Sequence, residues 1–204
     1  MSLPFSSIID DLAARGWSLQ SSFLSSDVTH QLAAECRRRY AEGALAPAGV
    51  GRGEEQAVHE GIRGDHIHWL EEGQAAVSDG YLSVMDKLRQ TLNRELFLGL
   101  EEFECHFALY PPGAFYQTHL DRFRDDDSRC ITAVLYLNPD WQPNNGGELR
   151  MHLPDGKTLD IPPLDGHLLM FLSGEFPHEV MITQAERLSL TGWFRRRPVD
   201  VLAL

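Results

Sequence analysis

Apolar residues recur every three or four positions through the first half of the chain and at every second position through much of the last half. Ile8, Ile9, Leu12 and Ala13 share one helical face between paired serines and Gly16, which predicts a short capped helix over Ser6–Arg15. A strand is expected at Trp17–Leu19. A second helix should begin near Ser25–Asp27 and run to about Tyr40, with Val28, Leu32, Cys36 and Tyr40 on its buried face and Arg37–Arg39 as its solvated end. Residues 42–60 lose all sustained period and are rich in Gly, Ala and Glu, the mark of a long loop that can serve as a lid. After a short strand at His66–Trp69, the stripe Tyr81, Leu82, Met85, Leu88, Leu92 and Leu96 predicts the longest helix, over Ser78–Leu98.

Beyond Leu100 the pattern turns strand-like. Short strands are expected at 103–110, 115–121, 131–137, 148–153, 158–161, 167–172, 179–182 and 188–195, separated by turns such as Pro143–Gly147 and Pro154–Gly156. Eight short strands at this spacing predict an α+β protein: a double-stranded β-helix, or jelly roll, with N-terminal supporting helices packed on one outer face. At 204 residues the chain suits one domain, with helical support and lid over residues 1–100 and a catalytic core over 101–198.

Composition narrows the partners. A formal net charge of −12 argues against a broad phosphate-binding surface, so no nucleic-acid partner is expected. Cys36, Cys105 and Cys130 are too few and too scattered for a disulfide framework and read as buried thiols in a reducing cytoplasm. Asp10 and Asp11 interrupt the N-terminal apolar residues too early for a signal peptide, and no window is long enough to span a membrane.

The chemistry centres on the stretch YPPGAFYQTHLD, Tyr110–Asp121. In an extended chain His119 and Asp121, two residues apart, face the same side. Such a pair is common by chance, and it gains meaning from two later residues: a distant histidine, His178 in FPHEV, and Arg187 opening the apolar strand RLSLTGWF. A buried guanidinium there needs an anionic partner. Two imidazoles and a carboxylate form a facial triad for Fe(II) that leaves positions open, the arrangement of non-haem oxygenases. The open positions would take the keto-acid end of 2-oxoglutarate and O2, and Arg187 would grip the far carboxylate in bidentate fashion. The bland alternatives for other residues are a solvated hairpin tip at Asp125–Asp127, an exposed Arg195–Arg197 run, a packed turn residue at Trp141 and unassociated His66 and His68.

On these residues the sequence resembles the Fe(II)- and 2-oxoglutarate-dependent prolyl 4-hydroxylases, in the group of the animal hypoxia-inducible-factor prolyl hydroxylases and their bacterial relatives. The likeness runs over roughly residues 62–196 and is carried by IRGDHIHWLEEG, YPPGAFYQTHLD, RCITAVLYLNPDW and PHEV with RLSLTGWF. It implies iron ligation by His119, Asp121 and His178, and 2-oxoglutarate held by Arg187 with Tyr136, Tyr110 and Thr191 nearby. Arg63, Asp65, Tyr116 and Trp193 would meet the substrate. It also implies hydroxylation of proline in a protein or peptide, a translation factor being one reasonable target, with release of succinate and CO2 and with ascorbate as a supporting reductant. A monomer or weak homodimer is expected. The rival readings are an oxygenase acting on another residue or a nucleobase, and a non-catalytic jelly-roll sensor or binding module. For Arg63 and Asp65, a structural ion pair at the base of the lid is an equal alternative to substrate contact.

Overall fold

Gly16 ends the first helix, α1 (Phe5–Arg15), in the left-handed conformation, and its N–H closes onto the Leu12 carbonyl. The chain then enters β1 (Trp17–Gln20) and α2 (Ser26–Ala41). The computed structural model describes residues 3–49, 61–122 and 126–197. Most of the expected lid, and Asp125 of the expected hairpin tip, therefore lie outside the described residues. A two-residue strand, β2 (Ala46–Pro47), pairs with β3 (His66–Trp69), and α3 (Ala76–Leu96) precedes β4 (Leu100–Tyr110). Seven strands complete the core: β5 (Tyr116–His119), β6 (Arg129–Tyr136), β7 (Leu149–His152), β8 (Thr158–Ile161), β9 (Leu168–Leu172), β10 (His178–Val180) and β11 (Arg187–Arg196).

Two antiparallel sheets result, a larger one ordered β1-β9-β6-β11-β4-β3-β2 and a smaller one ordered β5-β10-β7-β8. The period-2 alternation decides what each face of the larger sheet meets. Cys105, Phe107 and Leu109 of β4, Ile131, Ala133 and Leu135 of β6, and Leu188, Leu190 and Phe194 of β11 turn outward and pack with Ile8, Leu32, Tyr81, Met85 and Leu88 of the helices. The intervening residues turn inward. Val134, Tyr136, Leu169 and Phe171 meet Leu149, Met151 and Ile161 of the smaller sheet. Gly192 lies where β11 and β4 are pressed closest, since a Cβ there would stand 2.5 Å from the Cβ of Cys105. The jelly roll with its helical support is thus present as expected.

Several local expectations are revised. Arg39 is no solvated residue. It is only 6% exposed, and its guanidinium pairs with Glu35 and donates to His68 and Gln74. The turn after α2 brings β3 against the last helical turn, so position 39 faces inward while Arg37 and Arg38 remain outside. Tyr40 in turn is 39% exposed rather than buried. Arg195 and Arg196 are half-buried, not free at the surface: Arg195 bridges Glu102 and Glu104, and Arg196 pairs with Asp127. Trp141 packs its turn, donating from Nε1 to the Gly146 carbonyl at 3.2 Å.

Candidate active site

The smaller sheet brings the two histidines together. β10 pairs with β5 so that His178 stands directly opposite His119, and the register slips between His178 and Val180. β5 stops at His119, and Asp121 lies in the bend just beyond it rather than on a continuing strand. The bend still turns the carboxylate back between the rings. His119 Nε2 lies 3.5 Å from Asp121 Oδ1, and His178 Nε2 lies 3.6 Å from Asp121 Oδ2. The three groups offer ligand atoms within 4.8 Å of one another and form the only such cluster of three among the described residues. His66 and His68 join no second one.

Each ring is oriented by its other nitrogen. The Gln117 carbonyl faces His119 Nδ1 at 2.8 Å, and the Phe176 carbonyl faces His178 Nδ1 at 3.1 Å. A carbonyl can only accept, so both Nδ1 atoms carry the proton and both Nε2 lone pairs point at the common centre. Burial drives His178 down to about 4, which keeps the imidazole neutral and ready to donate its lone pair. Burial pushes Asp121 the other way, but the two imidazoles and the Thr132 hydroxyl outweigh it and hold the carboxyl far below its usual range. Tyr116 stacks on His119 with ring centres 3.7 Å apart.

The larger sheet supplies the opposite wall in rows set by strand register. Trp69, His106, Thr191 and Val134 form one row across β3, β4, β11 and β6, and Ala108, Ser189 and Tyr136 form the next. Tyr110 and Arg187 face each other in a third. Trp69, His106, Thr191, Val134, Ala108, Tyr110 and Arg187 of these rows line, with the histidine cluster, one cavity of about 260 Å³, which Arg63, Asp65, Tyr116 and Trp193 also line.

Arg187 is 1% exposed, and its Nε donates to the Gly147 carbonyl at 2.8 Å. No carboxylate among the described residues lies within ion-pair distance of it. Its guanidinium carbon sits 5.0 Å from the Tyr110 ring and 5.2 Å from the Tyr136 ring. The Tyr136 hydroxyl is buried without a hydrogen-bond partner. Burial, opposed by Arg187, pushes that hydroxyl up to about 12, so it stays protonated and can donate. A buried cation and a buried orphan donor side by side ask for a small anion.

Arg63 and Asp65 make a bidentate pair at 2.6–2.7 Å, with Asp65 buried and the Arg63 guanidinium 4.3 Å from the Tyr116 ring. They form a structural ion pair that also lines the cavity. Sequence reasoning passes over four residues of the site. Thr132 donates to Asp121 Oδ2 at 2.8 Å and meets Ser173 at 2.9 Å; His106 stands between Trp69 and Trp193; and Arg129 stacks on Trp193 at 3.6 Å. The period-2 alternation carries the signal for two of them, since Thr132 shares a face with Tyr136, and His106 with Tyr110.

The chemistry of the donor set matches Fe(II), and the Arg187–Tyr136 corner matches a dicarboxylate reaching toward it. The fold and site together define a non-haem iron oxygenase of the 2-oxoglutarate-using class. The family model described as the 2OG-Fe(II) oxygenase superfamily matches residues 105–195. A crystal structure of a Pseudomonas putida prolyl-4-hydroxylase is similar at 60% identity and a TM-score of 0.87, over 95% of this chain and 99% of that one. A Trichoplax adhaerens prolyl hydroxylase, solved with a hypoxia inducible factor oxygen degradation domain peptide fragment, is similar at 29% identity and a TM-score of 0.84, over 94% of this chain and 88% of that one. Human Prolyl hydroxylase EGLN3 is 37% identical over 143 residues, which are 65% of this chain and 59% of that protein. The chain spans less than two thirds of the length of the first curated relatives it matches. The chain belongs to the Fe(II)- and 2-oxoglutarate-dependent prolyl 4-hydroxylase family.

Proposed function

We propose that this protein is an Fe(II)- and 2-oxoglutarate-dependent dioxygenase that hydroxylates prolyl residues of a protein or peptide. The observation that carries the reading is the meeting, in one cavity, of the His119–Asp121–His178 cluster with Arg187, whose guanidinium carbon lies 5.2 Å from the ring of the buried Tyr136. His119, Asp121 and His178 hold the ion. Bound Fe(II) would supply oxygen activation coupled to conversion of 2-oxoglutarate to succinate and CO2. Arg187 and Tyr136 anchor the far carboxylate of the co-substrate, Tyr110 buttresses the guanidinium, and Thr191 lines the space beside the metal.

Substrate enters on the side of Arg63, Asp65, Tyr116 and Trp193, with Trp69 exposed at the rim. The whole chain works as one dioxygenase domain, as a monomer or weak homodimer, in the cytoplasm. All three cysteines are free, and no helix among the described residues is long and apolar enough to cross a membrane. Ascorbate serves as supporting reductant.

The test is succinate formation by purified protein given Fe(II), 2-oxoglutarate and ascorbate, with cell-extract proteins as substrate. Succinate above a metal-free control, together with a one-oxygen mass shift on proline that is absent from extracts of a strain lacking the enzyme, is the expected result. No succinate removes the catalytic reading. The added oxygen on lysine or a nucleobase removes the prolyl one.

A further inference from the structure

Asp121 is held from two sides by a single residue outside the ligand set. Ser173 follows β9, and its hydroxyl lies 2.9 Å from the Thr132 hydroxyl, which lies 2.8 Å from Asp121 Oδ2. Its carbonyl accepts from the N–H of Arg122, the residue after Asp121, at 3.3 Å. Thr132 and Ser173 are both fully buried, so no solvent competes for these bonds.

The proton order along the chain of hydroxyls is determined. A metal-binding carboxylate is ionised and only accepts. The one Thr132 hydroxyl proton is therefore committed to Asp121 Oδ2, and the Thr132 oxygen can only accept from Ser173. Each bond polarises the next, which stiffens the arrangement. Oδ2 is thereby held by the Thr132 hydroxyl, while Oδ1 takes no bond from Thr132 and faces His119 Nε2 at 3.5 Å.

We propose that Thr132 and Ser173 are positioning residues that restrict Asp121 to ligation through one oxygen, Oδ1, and so keep a coordination position open for the reaction. This rests on the iron reading of the site. A carboxylate freed from Thr132 can rotate to offer both oxygens to the ion, which fills the position that oxygen or co-substrate needs.

Co(II), added alone to the metal-free protein, tests the brace without turnover. Thr132→Val keeps the shape and removes the donor, Thr132→Ser restores the donor, and Ser173→Ala removes the outer link. Thr132→Val should weaken Co(II) binding about 10-fold, the usual scale for losing such an outer partner. Its visible d–d bands should also weaken relative to the parent as the coordination number rises. Thr132→Ser should match the parent in both readouts, and Ser173→Ala should shift both in the same direction as Thr132→Val. Thermal melting identifies any variant that fails to fold, and Ser173→Ala then carries the test. A folded Thr132→Val or Ser173→Ala with the parent's affinity and spectrum overturns the proposal. Parent protein that binds no Co(II) overturns the metal reading itself, a separate failure.

Discussion

Arg187 and Tyr110 stand directly opposite each other on β11 and β4, with the guanidinium carbon 5.0 Å from the phenol ring. The ring face and the Gly147 carbonyl fix the guanidinium so that its fork points into the cavity. Arg187→Ala should raise the Kd for 2-oxoglutarate on the order of 100-fold, as truncating one partner of a buried charge pair does. Arg187→Lys should recover only part of that loss, and Tyr136→Phe should cost about 10-fold, the loss of one hydrogen bond to a charged group. Titration of the metal-loaded protein with 2-oxoglutarate checks all three. Unchanged affinity in Arg187→Ala would contradict the assignment.

Gly147 lies behind that guanidinium with φ +68, and a Cβ there would stand 3.2 Å from Arg187 Cδ and 3.0 Å from Thr183 Oγ1. Gly147→Ala should therefore weaken 2-oxoglutarate binding by displacing Arg187. Gly156 has a similar φ of +81 but open space around it. Gly156→Ala should cost only the left-handed backbone strain, about 1 kcal/mol in a urea melt, and leave co-substrate affinity alone.

Much of the site is legible in the sequence because its parts sit on alternating strands. His119, Asp121, His178 and Arg187 are readable from residue type and order, and the structure brings all four to one cavity. Arg39 is not, because a basic run at a helix end has the same pattern whether or not a later strand closes over it. Thr132 and Ser173 are invisible as a pair, since their contact depends on how β9 lies beside β6. Local pattern carries no information about that packing.

Burial drives His106 from the ordinary 6.5 down to about 4. The unfolded chain therefore binds a proton between these values that the folded chain refuses. The stability this group supports is present in full above about pH 6.5 and is lost as pH falls toward 4. The loss reaches ~3 kcal/mol at most from this residue. His106→Leu should flatten that acid limb, and urea midpoints of both proteins at pH 7 and pH 4.5 measure it. Equal pH slopes would show that His106 does not titrate as described.

Arg39 ties α2 to β3 through Glu35, His68 and Gln74. Arg39→Ala removes a buried side chain that joins the two elements, while Glu35 keeps its pair with Arg38, and should destabilise the protein by about 2 kcal/mol. Arg38→Ala, one residue along with a 53% exposed side chain, should cost under about 1 kcal/mol despite its pairs with Glu35 and Glu42. Thermal or urea denaturation of the two variants side by side separates these outcomes.

The register that sets His178 opposite His119 would make metal capture by these residues a late event in the life of the chain. During synthesis His119 and Asp121 emerge well before β10, and a two-ligand fragment grips an ion weakly. The third ligand arrives only when most of the jelly roll has left the ribosome. Iron held by His119, Asp121 and His178 would therefore depend on the pairing of β10 with β5, and its retention would report that the smaller sheet has formed.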